Sequence, residues 1–137
     1  MNVKLIFLLS GFGFLMAIAT IAWIPANAEP IFWLVIFIIC AYLIAKNCTG
    51  KYFLHGLLVS IANSIWITAA HIIFVNTYLV NHPRELEMMS KMPMPTHPRI
   101  MILIIGPIVG IFSGIILGLF AFIASKLMKK KAQEVKV

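Results

Sequence analysis

Four apolar runs separated by short polar breaks organise this chain, at residues 5–24, 31–47, 52–80 and 100–125. As helices rising about 1.5 Å per residue, they match a hydrocarbon layer roughly 30 Å thick. The third run, Tyr52 to Val80, is the unusual one, because polar groups are seeded along it. At about 100° per residue, Gly56, Ser60, Asn63, Ser64, Thr68 and His71 fall on one stripe of a continuous helix. Hydrocarbon offers these groups no hydrogen-bond partner, so the stripe is expected to turn toward other helices. At about 43 Å, such a helix must tilt or project beyond the bilayer.

The last run carries a different periodicity. Gly106, Gly110, Gly114 and Gly118 recur every four residues, with Ser113, Ala121 and Ser125 beside them. Small-xxx-small repeats let backbones approach closely in lipid, so this ridge is expected to be a helix-packing surface. Its natural neighbour is the polar stripe of the third run; a second copy of the chain or another membrane protein is an alternative. Ser10, Gly13, Ala17 and Thr20 form a comparable small face on the first run.

Between the runs the connections are short. Lys46 to Lys51 reads as a tight turn. Residues 81–99 form the one substantial polar loop: a short helix from Pro83 through Lys91, then a proline-rich extended stretch at Pro93, Pro95 and Pro98. The basic tail 126–137 is expected to fray. Ala26-Asn27-Ala28 also has the small-x-small form of a signal-peptidase site, which leaves open cleavage after Ala28. The preceding apolar run is longer than a usual signal core, which favours retention as a first span.

Composition agrees with this layout. The chain has 137 residues, of which 62% are hydrophobic and 11% charged. A soluble domain of this size could not keep so much apolar surface from water. The expected fold is therefore an all-α integral membrane bundle of four transmembrane helices, as a single domain over residues 1–137. Positive charge sets the orientation. With the amino terminus inside, the inner segments hold eight Lys residues, against Arg84, Lys91 and Arg99 outside. Both termini are thus expected in the cytoplasm, with 81–99 extracytoplasmic. The net charge of +7 is concentrated at the tail lysines, which suits anionic lipid headgroups rather than nucleic acid.

Candidate chemistry is sparse. Asn63 and His71 are the residues of interest at membrane depth; they could line a polar path or simply hydrogen-bond across helices while Ser60, Ser64 and Thr68 bond back to their own carbonyls. Every Glu is read as lying in a loop or the tail, which counts against a proton-coupled transporter. In the outer loop, His82, Met88, Met89, Met92, Met94 and His97 combine thioether and imidazole, ligands suited to Cu(I). That loop resembles the methionine motifs of extracytoplasmic copper-handling proteins. Against it, Lys91 would repel a cation, and the methionines suit an interfacial helix equally well. Cys40 and Cys48 are expected to be free thiols. No nucleophile–base–acid set and no cofactor motif is present, so the chain is read as non-enzymatic with no cofactor.

Taken whole, the chain resembles small four-span bacterial inner-membrane proteins that end in a glycine-rich helix and a lysine tail. The resemblance is one of architecture and implies no residue roles. Three functional classes follow: a structural or accessory component of a membrane assembly, which leads; a small transporter or channel with a polar path along the third run; and an extracytoplasmic copper-handling protein.

Overall fold

The computed structural model describes residues 1–134, with side chains through Lys129. It is all-helical among those residues: α1 (Val3–Ala22), α2 (Glu29–Asn47), α3 (Tyr52–Ile73), α4 (Val75–Asn81), α5 (Pro83–Ser90) and α6 (Pro98–Glu134). Helices α1, α2, α3 and α6 are long and apolar enough to cross a membrane. Large apolar side chains such as Phe7, Trp23, Phe112 and Leu127 face outward, a distribution compatible with surrounding lipid.

Local chemistry explains several boundaries. The Asn2 side chain caps α1 by accepting from the Leu5 N–H at 3.1 Å. Pro30 occupies the first turn of α2, where its missing N–H costs nothing. Lys51 precedes α3 with φ 52°, a left-handed conformation unusual for a side chain that is not glycine. Its carbonyl is held by both the backbone N–H and the Nδ1–H of buried His55, at 3.0 and 2.8 Å.

Helices α3 and α6 make the most extensive contact, followed by α1 with α3 and α2 with α6. The glycines explain the first pairing. Gly106 faces Thr68, Gly110 faces Ser64, Gly114 faces Leu57 and Gly118 faces Phe53, so the two helices run antiparallel. A Cβ on Gly56 would lie 2.7 Å from the Gly118 backbone. Helices α1 and α3 run parallel, through Asn2 with His55, Gly13 with Asn63 and Thr20 with His71. Helix α2 leans on α6 through the edge-to-face rings of Phe37 and Phe120 and stands away from α3.

Four expectations from the sequence require correction. The run 52–80 is not one helix, because it breaks at Phe74 between α3 and α4. Ile72, Ile73 and Val75 are β-branched and Phe74 is aromatic, a sequence with little intrinsic hold on helical geometry. The break carries α4 toward the end of α1, where Asn81 Nδ2 donates to the Ile21 carbonyl at 2.6 Å. Second, the stretch after α5 turns rather than extends: the N–H groups of Met92 and His97 bond back to the Met89 and Met94 carbonyls. Pro98 then opens α6 two residues before the predicted span. Third, the tail is helical as far as Glu134. Helix α6 continues through Glu134 on Lys, Met, Ala and Gln, all good helix formers; residues 135–137 lie outside the described part of the chain. Fourth, Glu29 is not a loop residue but the first residue of α2.

Candidate functional site

A cleft of about 650 Å³ lies between α2, α3 and α6, with α4 and α5 at one end. Its walls are mostly apolar, from Trp33, Leu34 and Phe37 on α2 to Val109 and Ile116 on α6. Ser60, Asn63, Ser64, Thr68 and His71 border it along α3. The stripe is therefore divided between two helical neighbours and an open space.

Each of its polar groups has a distinct position. Ser60 Oγ donates across to the Gly110 carbonyl at 3.1 Å rather than to its own helix, because Gly110 has no side chain to intervene. Ser64 Oγ does bond back, to the Ile61 carbonyl at 2.8 Å. Thr68 is buried against Gly106. Asn63 is 2% exposed, and its Oδ1 accepts from the Gly13 backbone N–H on α1 at 3.1 Å. Its Nδ2 is buried with no hydrogen-bond partner among the described residues. A buried amide donor left unmade costs about 1–3 kcal/mol, so this group calls for an acceptor.

His71 Nε2 stands 3.1 Å from Thr20 Oγ1. The one hydroxyl proton of Thr20 is directed to the Met16 carbonyl at 2.8 Å. With the hydroxyl proton so directed, His71 donates its Nε2–H to Thr20 and Nδ1 is the acceptor nitrogen of the ring. The His71 ring stacks on Tyr78 at 3.9 Å, and Tyr78 stacks on His82 at 4.4 Å. In an unbroken helix, residues seven apart are separated by about 10 Å along the axis. The break at Phe74 is what brings His71 and Tyr78 face to face.

His82 ends this stack and meets a carboxylate. Its Nδ1 donates to the Tyr78 carbonyl at 2.9 Å, so Nε2 of a neutral ring presents a lone pair. That atom is 3.2 Å from Glu29 Oε1, with His82 1% exposed. A lone pair facing a carboxylate at that distance would repel it, so the pair holds one shared proton and is neutral as a unit. Glu85 lines the same end of the cleft, and its Oε2 is buried without a hydrogen-bond partner. Among the described residues the ion pairs are Glu29 with His82 and Glu87 with Lys91, so Glu85 is in no ion pair.

The six residues considered as copper ligands have different surroundings. Met88, Met89 and Met92 line the cleft, His82 is turned inward to Glu29, and Met94 and His97 lie exposed beyond it. Among the described residues, no group of three or more His, Cys, Asp or Glu is placed to hold a metal.

The pairing of Glu29 with His82 was not apparent from the sequence, because 52 residues separate the two along the chain. The available signal was positional: a carboxylate and an imidazole each flank an apolar run on the same predicted side. Tyr78 and Thr20 were hidden for the same reason, since each acquires its role only through contact with His71. Compared with known protein families, with curated proteins and with solved structures, the chain matches none of them.

Proposed function

We propose that this chain is a non-enzymatic integral membrane protein, with both termini in the cytoplasm, that binds an apolar molecule with a polar end in the cleft between α2, α3 and α6. It would serve as a small carrier or transport component. The observation that carries this reading is Asn63, which lines a space of about 650 Å³ and whose amide nitrogen is buried without a partner among the described residues. A volume of this size is in the range of small-molecule sites, which are mostly apolar with a few convergent polar groups. A structural or accessory bundle calls for a stripe sealed by the glycine ridge. Here Gly110 and Gly114 cover only one flank of α3, while the other borders the cleft. Met88, Met89 and Met92 give its end an adaptable apolar lip, a use of methionine that needs no metal.

Native mass spectrometry of the protein released from gentle detergent tests the proposal, with Ser113→Trp as the comparison. Ser113 lines the cleft and is half-buried, so an indole there fills space without opposing the tight face of α6. The wild type is expected to retain a hydrophobic small molecule that Ser113→Trp loses. Identical spectra from two equally folded proteins would refute the reading.

A further inference from the structure

We infer that the cleft selects an amphiphile with a cationic amine head, which seats between Glu85, Glu29 and His71 at the α4–α5 end. This rests on the binding role proposed above and adds the chemistry of the ligand. Three features of that end point the same way. Because the Glu29–His82 pair shares one proton and is neutral as a unit, the carboxylate of Glu85 is the uncompensated charge. Its Oε2 is buried and lacks a hydrogen-bond donor among the described residues. His71 adds Nδ1, an acceptor by virtue of the proton it gives to Thr20. The protein thus offers acceptors and a single negative charge, and an ammonium group supplies three donors and one positive charge.

The basic side chains of α5 and its end do not fill this role. Arg84 is exposed and forms no ion pair, and Lys91 is committed to Glu87 at 2.6 Å. Below the head, the walls are Trp33, Leu34, Phe37, Ile67, Ile105 and Val109, which suit a hydrocarbon chain. Asn63 lies eight residues from His71 on α3, about 12 Å deeper. Its buried, unpartnered Nδ2 is independent of the acidic end and marks where an ester or amide carbonyl of the ligand would be met. A free fatty amine and an amine-headed lipid share this head chemistry. They differ in whether a carbonyl reaches Asn63.

Equilibrium binding of radiolabelled hexadecylamine, hexadecanol and hexadecanoate to the detergent-purified full chain tests the inference, with Ser113→Trp subtracted as the baseline for micelle partitioning. Near neutral pH, hexadecylamine is expected to bind at least about tenfold more tightly than hexadecanol, with hexadecanoate weakest. Glu85→Gln, an isosteric change on a partly exposed short helix, is expected to abolish that preference. Glu29→Gln is the second variant and should reduce the preference in part. Equal binding of amine and alcohol, unaffected by either variant, would overturn the amine head and leave the cleft reading intact. Tighter binding of hexadecanoate would overturn it as well. If no probe binds above the Ser113→Trp baseline, the cleft reading itself falls. An N-acylated long-chain diamine, which carries both ammonium and carbonyl, should gain affinity over hexadecylamine in the wild type and lose that gain in Asn63→Leu. That result would assign the site to amine-headed lipids over free amines.

Discussion

The Cα of Gly56 and the backbone of Gly118 pass so closely that a methyl group on Gly56 would sit 2.7 Å from both the Cα and the N of Gly118. This is main chain against main chain, and neither helix has a side chain that can swing away. Gly56→Ala is therefore expected to force α3 and α6 apart and to destabilise the protein by about 1–3 kcal/mol. Gly114→Ala should be milder. Its added carbon first meets Leu57 Cδ1, the far end of a flexible side chain, with the Leu57 carbonyl at 3.1 Å. Gly114→Leu should disrupt the contact outright. Gly11, which has nothing within 4 Å, is the control, and Gly11→Ala should be neutral or slightly stabilising. Thermal retention of the monodisperse peak in detergent gives the order, and equal stability of Gly56→Ala and Gly11→Ala would remove the packing argument.

His82 and Glu29 should behave as a unit. Removing one partner leaves the other buried and uncompensated, which costs about 3–5 kcal/mol for a fully desolvated pair. Glu29 keeps 23% side-chain exposure, so the loss here should fall below that range. His82→Leu is expected to destabilise strongly, and the double variant His82→Leu with Glu29→Leu to recover part of the loss. A double-mutant cycle measures the coupling; additive effects would show that the two do not share a proton.

Much of the architecture was legible from hydrophobic runs, because a chain with so few charges has few ways to distribute them. The glycine spacing likewise pointed to α3 as the neighbour of α6. The break at Phe74 was not legible. Periodicity ran through it, and only the contact of His71 with Tyr78, made after the chain bends, shows why a bend belongs there. The cleft was hidden for a related reason. Helical phase places Asn63 and His71 on one stripe, yet it does not reveal that α2 stands away from that stripe and leaves space beside it. Glu29 was misread because it lies next to a proline-flanked turn, where a carboxylate usually meets solvent. Its partner, His82, directly follows α4, whose direction the break determines.

Orientation can be tested by single-cysteine labelling in a variant lacking Cys40 and Cys48. Thr96 is exposed in the turn between α5 and α6, and Asn47 is exposed at the end of α2. If both termini are cytoplasmic, Thr96→Cys is expected to react with an impermeant maleimide in intact cells and Asn47→Cys only after lysis. The reverse pattern would invert the topology, and with it the side from which the Glu29–Glu85 end of the cleft is reached.

Cys48 provides a pH-dependent readout at the opposite end of the bundle. It follows α2, is 9% exposed and lines a second hollow with Asn2, Lys51 and His55. Burial pushes its thiol above the ordinary cysteine value, since the thiolate loses hydration there. The thiolate is the reacting species, so a raised value means less of it at neutral pH and slower alkylation than at an exposed cysteine. In a Cys40→Ala background, Cys48 labelling should be slow near neutral pH. It should then accelerate about tenfold per pH unit until the thiol titrates, at a higher pH than for Asn47→Cys measured in a variant lacking both native cysteines. Matching rates and matching pH profiles at the two positions would mean that the turn between α2 and α3 does not fold over Cys48.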